Sequence, residues 1–101
     1  MSAIYNKKYF IRKFEKIPEG DWTTGEYESE DGKLCAGGHC GANVGGWYGN
    51  EISRALYELL KHLKTGDEQA NGPGIVNDGR CPAYQQPTPK QRILAALRDL
   101  P

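Results

Sequence analysis

Six glycines fall within thirteen residues, from Gly37 to Gly49. A stretch of this kind loses more backbone entropy on ordering than any other composition, so a fold either leaves it as a loose connector or uses the missing side chains for close backbone approach. It also divides the chain. No long helix can run through it, and the 101 residues must therefore assemble from short helices on either side. The length supports one domain, residues 1–101, with a thin core, because only 38% of the residues are hydrophobic.

Three segments carry helical periodicity. Asn6 is a cap for a helix over about 7–17, in which Phe10, Phe14 and Ile17 share a face and Pro18 and Gly20 end the run. Asn50 caps a second helix over about 51–64. Its stripe is Ile52, Leu56, Leu59, Leu60 and Leu63, with Lys61, His62 and Lys64 in the last turn and Gly66 as the C′ residue. Thr88, Pro89 and Gln91 have the pattern of a capping box, opening a third helix over about 89–99 that buries Ile93, Leu94, Leu97 and Leu100. The fold class expected is mainly α: a compact three-helix domain with the glycine-rich segment packed on it.

Between the first two helices the period is lost. Trp22 to Tyr27 has β-type residues, Asp31-Gly32 is a turn signal, and Lys33 to Ala36 can return as a second strand, which predicts a short β-hairpin lying on the helices. Thr65 to Pro87, broken by Gly72, Pro73, Gly74, Gly79, Pro82 and Pro87, reads as a long irregular loop pinned by Ile75, Val76 and Tyr84.

Trp22-x-x-Gly25, Gly32-x-x-Cys35-Ala36-x-Gly38, an amphipathic helix, Val76-Asn77-Asp78 and a closing helix together resemble a family of small bacterial and phage proteins of unknown function. The resemblance covers about Phe10 to Leu100 and departs from the family pattern between His39 and Gly49, where the family is Leu/Ala-rich and helical. It implies a mostly α fold, and no activity.

Thirteen basic residues balance thirteen acidic ones, which argues against general nucleic-acid binding, since that needs a cationic surface to release counterions. The charge is uneven along the chain. Lys7, Lys8, Arg12, Lys13 and Lys16 crowd the first helix, and Glu19, Asp21, Glu26, Glu28, Glu30 and Asp31 follow with no intervening cation; self-association through such patches is one reading and solvated faces the blander one. No signal peptide or membrane-spanning run is evident, and the expected compartment is the cytoplasm with reduced thiols.

The chemistry available is partial. Cys35, His39, Cys40 and Cys81 match the ligand types of a structural zinc site but lack its spacing, and small buried thiols are the simpler reading, so neither metal nor cofactor is expected. A cysteine hydrolase would draw on Cys35 or Cys40, His39 or His62, and Asn77 or Asp78, with no local signature to support it. A phosphate-binding P-loop is absent. One stretch remains: Gly45-Gly46-Trp47-Tyr48-Gly49-Asn50 leads straight into a helix start, where free amides and the helix dipole favour an anion. Trp47 and Tyr48 offer stacking faces, Arg54 and Arg80 can reach a phosphate, and Asn77 and Asp78 can read a ribose or base edge.

These features point to a non-enzymatic module that captures a small anionic, nucleotide-like ligand at Trp47, Tyr48, Gly49, Asn50, Arg54, Asn77, Asp78 and Arg80, as a homo-oligomer with its pocket between subunits; the resemblance to phage proteins adds the expectation of a phage-type protein that sequesters a signalling nucleotide. The alternative is a protein–protein interaction or structural module, in which Trp47 and Tyr48 plug the core; a cysteine-dependent hydrolase comes third.

Overall fold

A computed structural model of the chain describes residues 4–42, 46–63 and 72–101. It is mainly helical, with five helices and no sheet among these residues: α1 (Lys7–Glu15), α2 (Ala36–His39), α3 (Glu51–Leu60), α4 (Pro73–Asn77) and α5 (Pro89–Arg98). The three expected helices are present, each shorter at its C-terminal end. Asn6, Asn50 and Thr88 cap α1, α3 and α5 through their side-chain oxygens, accepting from Tyr9 N, from Ile52 N and Ser53 N, and from Gln91 N. Each helix then closes on a tightened turn, Ile17 N to Phe14 O, Leu63 N to Leu60 O and Leu100 N to Leu97 O, all near 3 Å. Lys64 and the expected C′ residue Gly66 lie outside the described residues.

The two additional helices were hidden by their composition. α2 is Ala-Gly-Gly-His and α4 is Pro-Gly-Ile-Val-Asn. Both are too short to show a period, and both carry glycines that disfavour helix by propensity. Packing and capping override that preference. The segment from 65 to 87 is therefore not one irregular loop, because α4 sits within it and presents Ile75 and Val76 to the core.

The expected hairpin does not form as a sheet. Leu34 makes single pairings with Trp22 in the parallel sense and with Glu28 in the antiparallel sense. The Asp31-Gly32 turn is real, with Gly32 at φ +83° and Ser29 N bonding Lys33 O at 2.8 Å. The arm that pairs across this turn is Tyr27–Ser29; Cys35 N reaches Tyr27 O at 3.2 Å.

α5 is the central helix, packing on α1 and α4 most extensively and touching α2 and α3. Phe10, Phe14, Leu56, Leu60, Val76, Ile93 and Leu97 are fully buried around it. Three polar residues, Ser53, Asn77 and Arg92, are buried with them. Arg92 donates from Nε to Val76 O (3.2 Å), from Nη2 to Asn77 O (2.7 Å) and from Nη1 to Gln86 O (2.8 Å), so its guanidinium closes the C-terminal end of α4. Asn77 accepts from Ala36 N at 2.9 Å and donates to Thr23 O at 3.0 Å, which fastens α4 to the first amide of α2 and to the segment after Trp22. No helix among the described residues is long and apolar enough to cross a membrane.

Leu97→Ala and Leu56→Ala are expected to cost about 2–5 kcal/mol each through cavity formation. Asn77→Ala should cost about 1–3 kcal/mol without removing apolar volume, because it strands the buried Ala36 amide and leaves the half-buried Thr23 carbonyl without its partner. Chemical denaturation of the three variants checks this; an Asn77→Ala chain as stable as the parent would refute the assigned role.

Candidate functional site

A cavity of about 410 Å³ opens where the Tyr27 segment, the start of α2, the Trp47 turn and α4 meet. Tyr27 and Trp47 form its aromatic walls, their rings 6.2 Å apart and inclined at 68°. Cys35, Gly74 and Asn77 lie between them, and Gly25, Glu26 and Asp78 complete the lining. Four chain segments thus supply one concavity.

Trp47 is held from two directions. Residues 47–49 form a 3₁₀ turn whose Trp47 carbonyl accepts from Ser53 Oγ at 2.7 Å, and the indole ring lies directly on Gly37. A Cβ at Gly37 would stand 2.8 Å from Trp47 Cη2, and one at Gly38 would stand 2.3 Å from the Tyr27 carbonyl. Both distances are inside van der Waals contact. This part of the glycine run is therefore a close-packed surface and not a loose connector; residues 43–45, including Gly45, lie outside the described residues.

The expected site residues separate into groups. Trp47, Asn77 and Asp78 come together on the cavity. Tyr48 does not: it is 58% exposed and its hydroxyl donates to Glu58 Oε1 at 3.0 Å, so the adjacent aromatics share no stacking face. Gly49 is exposed and does not line the cavity. Asn50 uses its side-chain oxygen on the Ile52 and Ser53 amides, and its carbonyl takes the Arg54 amide. The helix start thus holds its own amides, which removes most of the basis for an anion site there. Arg54 lines a separate cavity with Glu51, Glu58 and Lys61, and Arg80 is exposed outside the Trp47 cavity. Sequence reasoning missed Tyr27, Gly25, Glu26 and Gly74 as lining residues, and took Cys35 for a metal or nucleophile candidate only. Their one signal was position, since each flanks a turn or helix start whose neighbours were already candidates.

Asn77 and Asp78 divide the polar work. The Asn77 amide is spent on Ala36 N and Thr23 O, and its Nδ2 also donates to Asp78 Oδ1 at 3.0 Å. Asp78 Oδ1 takes the Gly25 amide as well, at 3.0 Å. The second carboxylate oxygen, Oδ2, has no hydrogen-bond partner among the described residues. Asn77 positions the wall, and Asp78 leaves one carboxylate oxygen unused by the described residues. Among the described residues no Lys or Arg lines the cavity, so the expected phosphate finds no counter-charge from them there.

The thiols behave as buried groups. Cys35, Cys40 and Cys81 are all unpaired and buried. Burial raises the Cys35 pKa, against the opposing Gly38 amide whose N–H points at its sulfur at 3.4 Å; burial pushes Cys40 to about 12. His39 is pulled below its ordinary value by burial. Its Nε2 lies 3.1 Å from the Asp21 carbonyl, as a donor there, and its ring meets Trp22. Among the described residues no three His, Cys, Asp or Glu side chains gather in the manner of a metal site, so the set Cys35, His39, Cys40 and Cys81 is not assembled. No protein-family model, curated protein or solved structure matches the chain, and the reading of the cavity rests on its own geometry.

The raised thiol carries a pH consequence. The folded state holds Cys40 neutral up to about 12 while an unfolded thiol ionises near its ordinary value of 9.0, so the native chain binds the extra proton in between. Its contribution is complete below pH 9.0 and is lost as pH climbs towards about 12. Melting temperatures measured from neutral to strongly alkaline pH should fall across that window, and Cys40→Ala should flatten the fall; an identical alkaline decline in both proteins would refute the assignment.

Proposed function

We propose that the chain is a non-enzymatic binding module whose Tyr27–Trp47 cavity takes a planar, nitrogen-bearing ring such as a nucleobase or nucleoside, uncharged or cationic. The observation that carries this reading is the convergence of Trp47 and Asp78, 31 positions apart in the sequence, on one cavity whose volume of about 410 Å³ falls in the range of small-molecule sites. Aromatic faces supply sequence-tolerant stacking, worth roughly 1–3 kcal/mol per base in single-strand binders. The free Asp78 oxygen and Glu26 accept hydrogen bonds from ring N–H or ribose hydroxyl groups. With two carboxylates and no cation among the described lining residues, a phosphate would be repelled, so the nucleotide-like ligand expected from the sequence is retained here in its ring and not in its anionic group.

Cysteine catalysis is the weaker reading. It needs a thiolate and a base, and here the Cys35 thiol is kept protonated while the nearest candidate base, His39, is engaged by Asp21 and Trp22.

Gly74 provides a test that leaves the fold intact. A Cβ there would approach nothing nearer than Trp47 Nε1 at 4.0 Å, so Gly74→Ala occupies cavity space without a clash and should raise stability by up to about 1 kcal/mol through helix propensity. A panel of bases, nucleosides and nucleotides should raise the melting temperature of the parent, by the equivalent of about 2.7 kcal/mol at a hundredfold excess over Kd. Nucleosides should exceed their phosphorylated forms, and Gly74→Ala should reduce the effect. No shift across the panel, or an undiminished shift in Gly74→Ala, overturns the proposal in favour of an interaction module.

A further inference from the structure

A third concavity, of about 650 Å³, is separate from the two described so far. It runs along α1 and is lined by Lys8, Arg12, Lys13 and Lys16, with Ile4, Tyr9 and Ile17 as apolar walls, Asn6 at one end and no acidic residue among the described residues. Lys8, Arg12 and Lys16 recur every fourth position, which on an α-helix stacks them in a row with a rise of about 6 Å per step. Lys13 sits beside the row.

None of these four cations forms an ion pair or hydrogen bond with a described residue. Other cations around α1 are engaged: Lys7 donates to Leu100 O at 2.6 Å, Arg98 pairs with Glu15 at 2.6 Å, and Lys90 donates to Glu15 O at 3.1 Å. The helix dipole accounts for Arg12 and Lys13 in the last turn, where cations are favoured. It does not account for Lys8, which stands in the first turn, where a positive charge is disfavoured and no acidic residue accompanies it. Four like charges facing one groove repel one another, and a bound anion would relieve that repulsion.

We infer that the α1 groove is a binding site for a small multivalent anion carrying two or more phosphate-type groups. The row of cations spaced at about 6 Å fits successive charged groups, with Arg12 at its centre able to grip one in bidentate fashion. Tyr9 and Ile17 give the apolar part of such a ligand a surface to rest on. The site is independent of the Trp47 cavity and is tested without reference to it.

The probe is inorganic tripolyphosphate, titrated calorimetrically into the full chain, with orthophosphate as the monovalent-group comparison. One site per chain is expected, with tripolyphosphate tighter than orthophosphate by about tenfold or more, and weakened by added salt as screened charges are. Arg12→Gln/Lys16→Gln, two exposed positions on α1, should weaken binding by about tenfold or more, in keeping with the loss of charge-assisted contacts. Arg54→Gln/Lys61→Gln removes the same charge from α3 and should change it by less than about twofold, as expected of distant screened charges. No saturable heat, or equal weakening in the two double variants, overturns the site. Salt-reversible self-association of the chain without tripolyphosphate binding overturns it as well, and would assign the groove to the acidic segment 19–31 of a second copy.

Discussion

The structure depends on how the end of α4 is held. A five-residue helix cannot stabilise itself, because nucleation costs more than one turn of hydrogen bonds returns, and its terminal carbonyls need partners in a buried place. Arg92 supplies them from α5, bonding the Val76 and Asn77 carbonyls through one rigid guanidinium. Burial lowers the Arg92 pKa, with Asp78 acting in the opposite sense, and the group stays charged because its ordinary value lies so far above neutrality. Gly79 makes the arrangement possible: it turns the chain at φ +76°, and a Cβ there would crowd the guanidinium carbon at 3.3 Å. From that anchored end Asn77 reaches Ala36 N and Thr23 O. Four segments distant in sequence are joined by two side chains, and the cavity lies against the joint.

This dependence explains what the amino-acid sequence disclosed. Asn6, Asn50 and Thr88 cap three helices through local chemistry, and leucine or phenylalanine stripes lie on the same helices, so both signals were available within a ten-residue window. Asn77 and Arg92 act over 41 and 16 positions. Nothing local distinguishes Asn77 from a loop asparagine, or Arg92 from a solvated arginine on the polar side of a helix. The same reason hides α2 and α4, whose stability comes from groups elsewhere in the chain. The site was legible to a similar degree. Trp47, Asn77 and Asp78 stood out as chemistry-bearing residues, but their meeting with Tyr27 required the Asp31-Gly32 turn to pair Tyr27 with Cys35, a register that the β-type residues at 22–27 obscured.

The glycine run shows how one composition can serve two purposes. Gly37 and Gly38 occupy a helix despite poor propensity, and the missing side chains admit the Trp47 ring on one side and the Tyr27 carbonyl on the other. The entropy lost in ordering them is offset by aromatic burial that no larger residue would permit. Gly41, at φ +91°, instead turns the chain after α2 close to the Asn50 side chain, the same side chain that starts α3. The run therefore sets the distance between α2 and the Trp47 turn, and with it the width of the cavity.

A net charge of zero conceals a strong local polarity. The Trp47 cavity is lined by carboxylates and the α1 groove by cations, so the two present fields of opposite sign to solvent. Composition averages them away, which is why the balance of thirteen against thirteen argues against general nucleic-acid binding but says nothing about a groove built from one helix. Fields of this kind act over about 8–10 Å at physiological ionic strength, comparable with the size of the cavities themselves, so each is felt mainly within its own cavity. On the two proposals made above, charge alone would direct an anionic group and a hydrogen-bond-donating ring to different places on the same small domain, before any contact of shape is made.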